Sequence, residues 1–216
     1  MIRLYSYWRS SAAYRVRIGL ALKGLPYEYV PVHLLREGGE QFSAAFRALN
    51  PQSRVPALAL DGQLLTQSLA ILEYLDETHP QPAPLLPAEP LARARIRSLA
   101  LLIAADIQPL QNTSVARYLK ERHAFTDTDL ADWLREWIGR GLGALETRLA
   151  AEPETGQFCH GDTPTLADLC LVPQCYASRR FGVDPAQYPH IAAIEQACVA
   201  LPAFQRAAPE MQPDAV

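Results

Sequence analysis

Apolar residues in the first eighty positions come in short clusters separated by turn signals, whereas the rest of the chain carries longer stripes at helical spacing. Ile2 to Tyr7 predicts a strand. Ser11 to Lys23 ends at Gly24, and its Val16, Ile18, Leu20 and Leu22 also fit a period of two. The preceding serine, the alanines and the Lys-Gly stop decide for a helix. Tyr27 to Val32 predicts a second strand, and Gln41 to Leu49 a short helix closed by Asn50-Pro51. Ala57 to Leu60 and Gln63 to Thr66 flank Asp61-Gly62, a signal for a tight hairpin. A helix from Ser68 to Thr78 stops before Pro80. The predicted order is β-α-β-α-β-β-α, a small α/β domain over residues 1–80.

Five prolines fall between Pro80 and Pro90, so residues 81–90 read as a linker. Beyond it, Ile96, Leu99, Ala100, Ile103 and Ile107 recur at three and four, and Trp133 to Leu149, Thr165 to Ser178 and Ile191 to Leu201 follow as helices. Residues 91–216 are therefore expected to form an all-helical domain. The chain of 216 residues is 49% hydrophobic, enough for a core without staples. A net charge of -3 without blocks of like charge argues against nucleic acid or an anionic membrane as partner. The first residues lack the long apolar region of a signal peptide, and no apolar run approaches a membrane span. Cys159, Cys170, Cys175 and Cys198 form no C-x-x-C pair and no zinc spacing, and read as buried free thiols of a reducing compartment.

Tyr7-Trp8-Arg9-Ser10-Ser11 lies where the first strand hands over to the first helix. A helix N-terminus offers unpaired N–H groups and the positive end of the dipole, which favour an anion. A serine hydroxyl there can donate to a thiolate and lower that thiol's pKa, the sulfur coming from a ligand; an ordinary N-cap also accounts for one serine. Val55-Pro56, after Arg54, is open to two readings: a cis bond that bares the Val55 backbone to a peptide ligand, or a trans proline entering an edge strand. Gln67-Ser68 starts the third helix, a second donor-rich terminus suited to a carboxylate. Thr165-Leu166-Ala167-Asp168 reads as a capping box, with the Thr hydroxyl on the Asp168 amide and the carboxylate on the Thr165 amide. Gln108-Pro109-Leu110-Gln111-Asn112 interrupts the helical stripe, either as a bend that lines a cleft or as a helix end. Arg9 and the pair Arg179-Arg180 are candidate anion clamps. No Ser-His-Asp or Cys-His triad can be assembled from the sequence, and no Gly-rich phosphate loop appears, which argues against nucleotide chemistry.

The domain order, Val-Pro before the third strand, Gln-Ser before the third helix and the T-x-x-D box together resemble a glutathione transferase. Arg9-Ser10-Ser11-Ala12-Ala13-Tyr14-Arg15-Val16-Arg17-Ile18 resembles the zeta-class signature R-S-S-C-x-W-R-V-R-I. Ala48-Leu49-Asn50-Pro51, Gln67-Ser68-Leu69-Ala70-Ile71, Ile107 to Asn112, Ala167 to Gln174 and the late Gln212-Pro213-Asp214 match as well, so the likeness covers the whole chain. It implies the cytosolic glutathione transferase fold: a thioredoxin-like, glutathione-binding α/β domain with a mixed sheet, then an all-helical substrate-binding domain.

The same likeness implies glutathione as cofactor, with Ser11 and neighbouring Ser10 holding its thiolate. Val55, before a cis Pro56, would pair its backbone with the cysteinyl part, and Gln67 and Ser68 would take the γ-glutamyl end. Gln41, Gln108, Asn112 and Ser114 match further glutathione-contacting positions, some of which reach across from a partner subunit. Arg9 and Arg180 match positions facing an acidic substrate, with Arg9 beside the reacting atoms. The implied activity is cis–trans isomerisation of a maleyl keto acid, maleylacetoacetate or maleylpyruvate, by a cytoplasmic homodimer of aromatic catabolism. Conjugation or dehalogenation of small electrophiles, and a non-catalytic glutathione-binding module, are the alternatives. Two positions depart from the pattern: Ala12 stands for the family cysteine and Tyr14 for its tryptophan. The serine pair survives, so the class is untouched while the substrate is loosened.

Overall fold

A computed structural model describes residues 1–215 and divides the chain into two compact units. One comprises Met1–Leu85 and the segment from Ala200 onward; the other is Leu86–Val199.

In the first unit β1 (Ile2–Ser6), β2 (Tyr27–Pro31), β3 (Ala57–Leu60) and β4 (Gln63–Thr66) form a mixed sheet in the order β2-β1-β3-β4. β1 runs parallel to β2 and antiparallel to β3, which pairs antiparallel with β4. The β3–β4 turn places both Asp61 and Gly62 at positive φ, 49° and 79°, as the Asp-Gly pair predicts. α1 (Ser11–Leu22) is buried continuously from Ala13 to Leu20. A helix enclosed on all sides shows no polar face, which is why its sequence also fits a strand period. The helix expected over Gln41–Leu49 is split instead. One 3₁₀ turn covers Glu40–Phe42, and α2 (Ala44–Leu49) starts afresh because Ser43 is extended and its hydroxyl accepts from the Phe46 amide at 3.2 Å. At the far end of α1, Lys23 Nζ donates to Asp76 of α3 (Ser68–Thr78) at 2.7 Å and to the Ala83 carbonyl at 2.8 Å. Asp76 also accepts from the Leu85 amide. A buried ion pair needs such extra partners to offset its desolvation.

The segment from Ala200, placed with the helical half by pattern alone, groups with the first unit, where Ala203, Phe204 and Ala207 are buried and polar contacts add to the attachment. Arg17 Nε donates to the Ala207 carbonyl at 3.0 Å, at the end of the helix Pro202–Ala207. Asp214 accepts from the Trp8 amide at 3.2 Å and from the Tyr29 hydroxyl at 2.6 Å.

The second unit contains α4 (Pro90–Leu101), widening into a π turn over Leu102–Ile107, then α5 (Thr113–His123), α6 (Asp127–Ala151), α7 (Leu166–Arg180) and α8 (Pro189–Val199); Pro202–Ala207 of the first unit is α9. The expected stripe of Ile96, Leu99, Ala100, Ile103 and Ile107 is buried throughout. A Cβ on Gly141 of α6 would stand 2.2 Å from Ile107 Cγ1, so the close approach there requires glycine. α5 was not anticipated. None of its residues is fully buried, and its only apolar face is the short one of Val115, Ala116 and Leu119, a weak signal beside the long stripe of α4.

Asp168 at the start of α7 is fully buried. It accepts from the Thr165 amide at 2.7 Å, the Thr165 hydroxyl at 2.8 Å and the Cys159 amide at 2.8 Å. The box therefore does more than expected, since it also fixes the loop that carries Cys159. The four cysteines are free and buried; burial first, then the Asp168 charge, pushes the Cys159 thiol up.

Glu146 of α6 caps α8 from a distance, accepting from the His190 and Ile191 amides at 3.0 Å each and contacting His190 Nδ1 at 2.8 Å. Burial alone would raise its pKa, but the amide donations and the His190 ring outweigh it and hold the carboxyl below its ordinary value. Glu146→Ala should cost about 1–2 kcal/mol in denaturant unfolding at neutral pH. A carboxyl depressed in the folded state stabilises above its unfolded pKa, and that gain disappears as pH falls through the folded value. The gap between wild type and variant should therefore narrow below about pH 4.

Candidate functional site

Strand register gathers four chain turns at one end of the sheet of the first unit. Ser6 of β1 pairs with Pro31 at the end of β2, Tyr5 with Ala57 at the start of β3, and Ala57 with Thr66 at the end of β4. The segments leaving those residues are Tyr7–Ser11, His33–Ser43, Arg54–Pro56 and Gln67–Ser68. Side chains from two of the four lock together with Val32, just before a third, and Phe46 of α2: Tyr7, Trp8, Val32, Phe46 and Val55 make one buried cluster, edged by Tyr5, Leu34 and Ala215. Burial of that cluster fixes the turns relative to one another.

The two serines divide their duties. Ser10 is the N-cap of α1, extended at φ -70° and ψ 115°, with its hydroxyl accepting from the Ala13 amide at 3.2 Å. Ser11, the first helical residue, is half-buried, and its hydroxyl makes no hydrogen bond within the described chain. The cap thus needs one serine only, and the Ser11 hydroxyl stands unengaged at the positive end of the helix. Arg9 lies with its guanidinium carbon 4.7 Å from the Trp8 ring centroid and Nη2 donating to the Tyr7 hydroxyl at 3.4 Å. Arg9 Nε, Trp8 Nε1 and Gln41 Oε1 are buried without a hydrogen-bond partner. Native chains seldom leave such atoms unmatched, and here they cluster on two of the four turns.

Gln41, itself buried, donates through Nε2 to the Leu34 carbonyl at 3.3 Å. The Val55-Pro56 bond is cis. Val55 precedes the paired residues of β3 and is held in place by the turn before it, where Asn50 Nδ2 donates to the Arg54 carbonyl and Asn50 Oδ1 accepts from the Gln52 amide. Gln67 sits at φ 69° and ψ 114°, a strained conformation for a residue with a Cβ, immediately before α3. Its exposed side chain donates to Gln52 at 3.0 Å. Ser68 is buried and accepts from Arg15 Nη1 at 3.3 Å.

The remaining sequence candidates belong to the second unit. Gln108 follows the π turn, and Pro109 lies in the turn after it, so the interrupted stripe is a helix end and not a bend. Asn112 N-caps α5, accepting from the Ser114 amide at 3.0 Å and the Ser114 hydroxyl at 2.7 Å, which brings those two together as a cap. Of the arginine pair, Arg179 is not an anion clamp: both its terminal nitrogens donate to Glu195, at 2.7 and 2.5 Å. Arg180, exposed, lies over the Phe181 ring. Gln111, outside the candidate set, is buried and exchanges amide hydrogen bonds with Gln174.

Sequence reasoning passed over Arg17 and Asp214. Arg17 is fully buried in α1; it donates to the Trp8 carbonyl at 2.9 Å, the Tyr7 carbonyl at 3.4 Å and the Ser6 hydroxyl at 3.3 Å. The available signal was two arginines inside an apolar helix, each of which must find acceptors there.

Residues 4–83 match the model of the glutathione S-transferase N-terminal domain, and residues 130–197 that of its C-terminal domain. The chain belongs to the glutathione S-transferase family. It is similar to the maleylacetoacetate isomerase of Pseudomonas aeruginosa, with 49% identity over 99% of this chain and 98% of that one. A solved maleylpyruvate isomerase described as a bacterial zeta-class glutathione S-transferase superposes with a TM-score of 0.95 at 48% identity, covering 99% of this chain and all of the other. A maleylacetoacetate isomerase from Anaeromyxobacter dehalogenans, solved with glutathione in its active site, has a TM-score of 0.88 at 52% identity, covering all of this chain and 98% of the other. The zeta-class resemblance read from Arg9–Ile18 agrees with these relatives, as does the mixed sheet followed by helices.

The division between the serines can be measured without any ligand. Ser10→Ala should lower stability by about 1 kcal/mol through the lost cap. Ser11→Ala should leave it within about 0.5 kcal/mol in the same denaturant titration.

Proposed function

We propose that the protein is a glutathione-dependent cis–trans isomerase that converts maleylacetoacetate to fumarylacetoacetate or performs the corresponding reaction on maleylpyruvate. The observation that carries this reading is the unengaged Ser11 hydroxyl at the N-terminus of α1, beside buried polar atoms that lack partners. Both substrate names occur among proteins about half identical to this chain. The first unit is the glutathione-holding domain and the helical unit the substrate domain.

Four turns of the first unit suit an extended tripeptide. Ser11 donates to its sulfur, and Ser10 shapes the helix start that aims the α1 amides there. Val55, ahead of Pro56, offers its backbone to the middle of the tripeptide. Gln67 and Ser68 at the head of α3 face the γ-glutamyl carboxylate, and Gln41 presents an unmatched Oε1 acceptor. Gln108, Asn112 and Ser114 are assigned to glutathione on the resemblance alone, and Arg180 to the acidic substrate in the same way.

Bound glutathione supplies a nucleophilic sulfur that adds to the cis double bond, permits rotation and departs unchanged. The chain's part is to keep that sulfur ionised, since the thiol is a weak nucleophile at neutral pH. The Ser11 hydroxyl and the α1 amides do so by hydrogen bonding to the anion and by the helix dipole. Arg9 balances the negative charge that develops on the keto acid; its stacking on Trp8 limits its freedom before substrate arrives.

The protein acts as a homodimer in the cytoplasm, within the breakdown of aromatic compounds. Association is supported by an exposed stripe of small and apolar residues on α4 and the π turn, Leu91, Ala94, Ser98, Leu101 and Ala105, at spacings of three and four. A reducing compartment is supported by four free buried thiols. No described helix is long and apolar enough to cross a membrane.

Isomerisation of both maleyl keto acids, followed spectroscopically, should require glutathione yet leave its concentration unchanged; stoichiometric loss would make the protein a conjugating transferase instead. Ser11→Ala should lower turnover at least tenfold, about 1.4 kcal/mol of barrier. Gly39 tests the Gln41 assignment. At φ 112° its added Cβ would lie 2.5 Å from Gln41 Nε2. Gly39→Ala should therefore displace Gln41 and weaken glutathione binding roughly tenfold by calorimetry.

A further inference from the structure

The peptide units at Trp8, one residue ahead of Arg9-Ser10-Ser11, are held on both sides by charged side chains, one from the helix that follows and one from far along the chain. Asp214 accepts from the Trp8 amide at 3.2 Å, and Arg17 Nη2 donates to the Trp8 carbonyl at 2.9 Å. Each holder is itself constrained. The Asp214 carboxylate also takes the Tyr29 hydroxyl at 2.6 Å, from the neighbouring strand β2. Arg17, with no exposed surface, spends further donors on the Ser6 hydroxyl, the Tyr7 carbonyl and the Ala207 carbonyl. Backbone hydrogen bonds of a loop ordinarily go to neighbouring backbone or water. Charge-assisted bonds to both sides of one residue hold its orientation more firmly than neutral bonds would.

We propose that Asp214 and Arg17 are positioning residues: between them they fix the orientation of the Trp8 backbone, and through it the direction in which Arg9 and the Ser11 hydroxyl point. The inference rests on the proposed role of Ser11 toward a glutathione thiolate. Hydrogen-bond strength falls steeply with misalignment, so a small rotation of this turn weakens thiolate stabilisation while leaving the fold intact. Asp214 is the better residue to test, because Arg17 sits in the core of α1 and its removal would leave several acceptors unmatched.

The experiment compares wild type, Asp214→Ala, Asp214→Asn and Tyr29→Phe by the ultraviolet absorbance of bound glutathione thiolate against pH, with kcat and KM for a maleyl keto acid and the thermal midpoint alongside. In Asp214→Ala the apparent pKa of the bound thiol should rise by about one unit, a roughly tenfold smaller thiolate fraction below that pKa. The fall should appear in kcat and in the pH profile more than in KM. Asp214→Asn keeps an oxygen for the Trp8 amide, and the Tyr29 hydroxyl can turn to accept from the new NH₂, so it should recover most of the loss. Tyr29→Phe, which removes only one anchor of the carboxylate, should shift the thiol in the same direction by less, and it supplies the answer should Asp214→Ala not fold. A thiol pKa unchanged in Asp214→Ala and Tyr29→Phe, whatever their melting temperatures, would overturn the proposal. So would an Asn variant as impaired as the Ala variant. If wild type itself shows no ionised glutathione thiol, the functional reading falls and this inference with it; a wild-type thiolate with unresponsive variants removes the inference alone.

Discussion

A guanidinium taken out of water must be given acceptors, and much of the first unit is arranged around that requirement at Arg17. Its desolvation, which also lowers its pKa, would cost several kcal/mol if left uncompensated. Four acceptors surround it: the Ser6 hydroxyl at the end of β1, the carbonyls of Tyr7 and Trp8 in the turn beyond, and the Ala207 carbonyl at the end of α9. The last sits where a helix presents the negative end of its dipole. One buried cation thereby joins the sheet, the turn before α1 and a segment about 190 residues further along the chain. A hydrophobic contact could hold these elements together, but it would not set the rotation of the turn, because apolar packing is non-directional.

Much of the architecture was legible because the elements carry local signals. Asp61-Gly62 names its own turn, Ser10 sits at a helix start, and the Ile96–Ile107 stripe lies on one buried face. The failures were non-local or silent. The one-turn break at Ser43 depends on a hydroxyl that could equally have lain inside a continuous helix. α5 buries no residue fully, and the segment after Val199 makes the Arg17–Ala207 and Trp8–Asp214 pairings, which no window of neighbouring residues contains. In the candidate site, the residue types at the helix termini were readable, yet their convergence was not. It follows from the pairing of Tyr5 with Ala57 and of Ala57 with Thr66, and register is a property of the assembled sheet.

The helical unit solves its own desolvation problems by the same means with opposite charge. Asp168 is buried among three N–H and O–H donors, and Glu146 binds two amides at the head of α8. Both carboxylates stand at helix N-termini, where the dipole favours an anion. The sequence advertised the first, since its partners lie within a four-residue box, and hid the second, whose donors are more than forty residues away.

The means proposed for stabilising a sulfur anion in the first unit are modest: one hydroxyl and a helix terminus. For a group that must attack and then leave, modest is appropriate. A thiol with strongly depressed pKa departs readily but attacks poorly, since nucleophilicity falls as basicity falls; the favourable range lies near ambient pH. A regenerated nucleophile needs both steps to run, so a hydroxyl that tunes the thiol is better matched to isomerisation than a contact cation that would trap its anion. This also explains why Ala12 can stand where the resembling signature has cysteine. The proposed stabilising groups are the Ser11 hydroxyl and the α1 amides, and neither is supplied by the side chain at position 12.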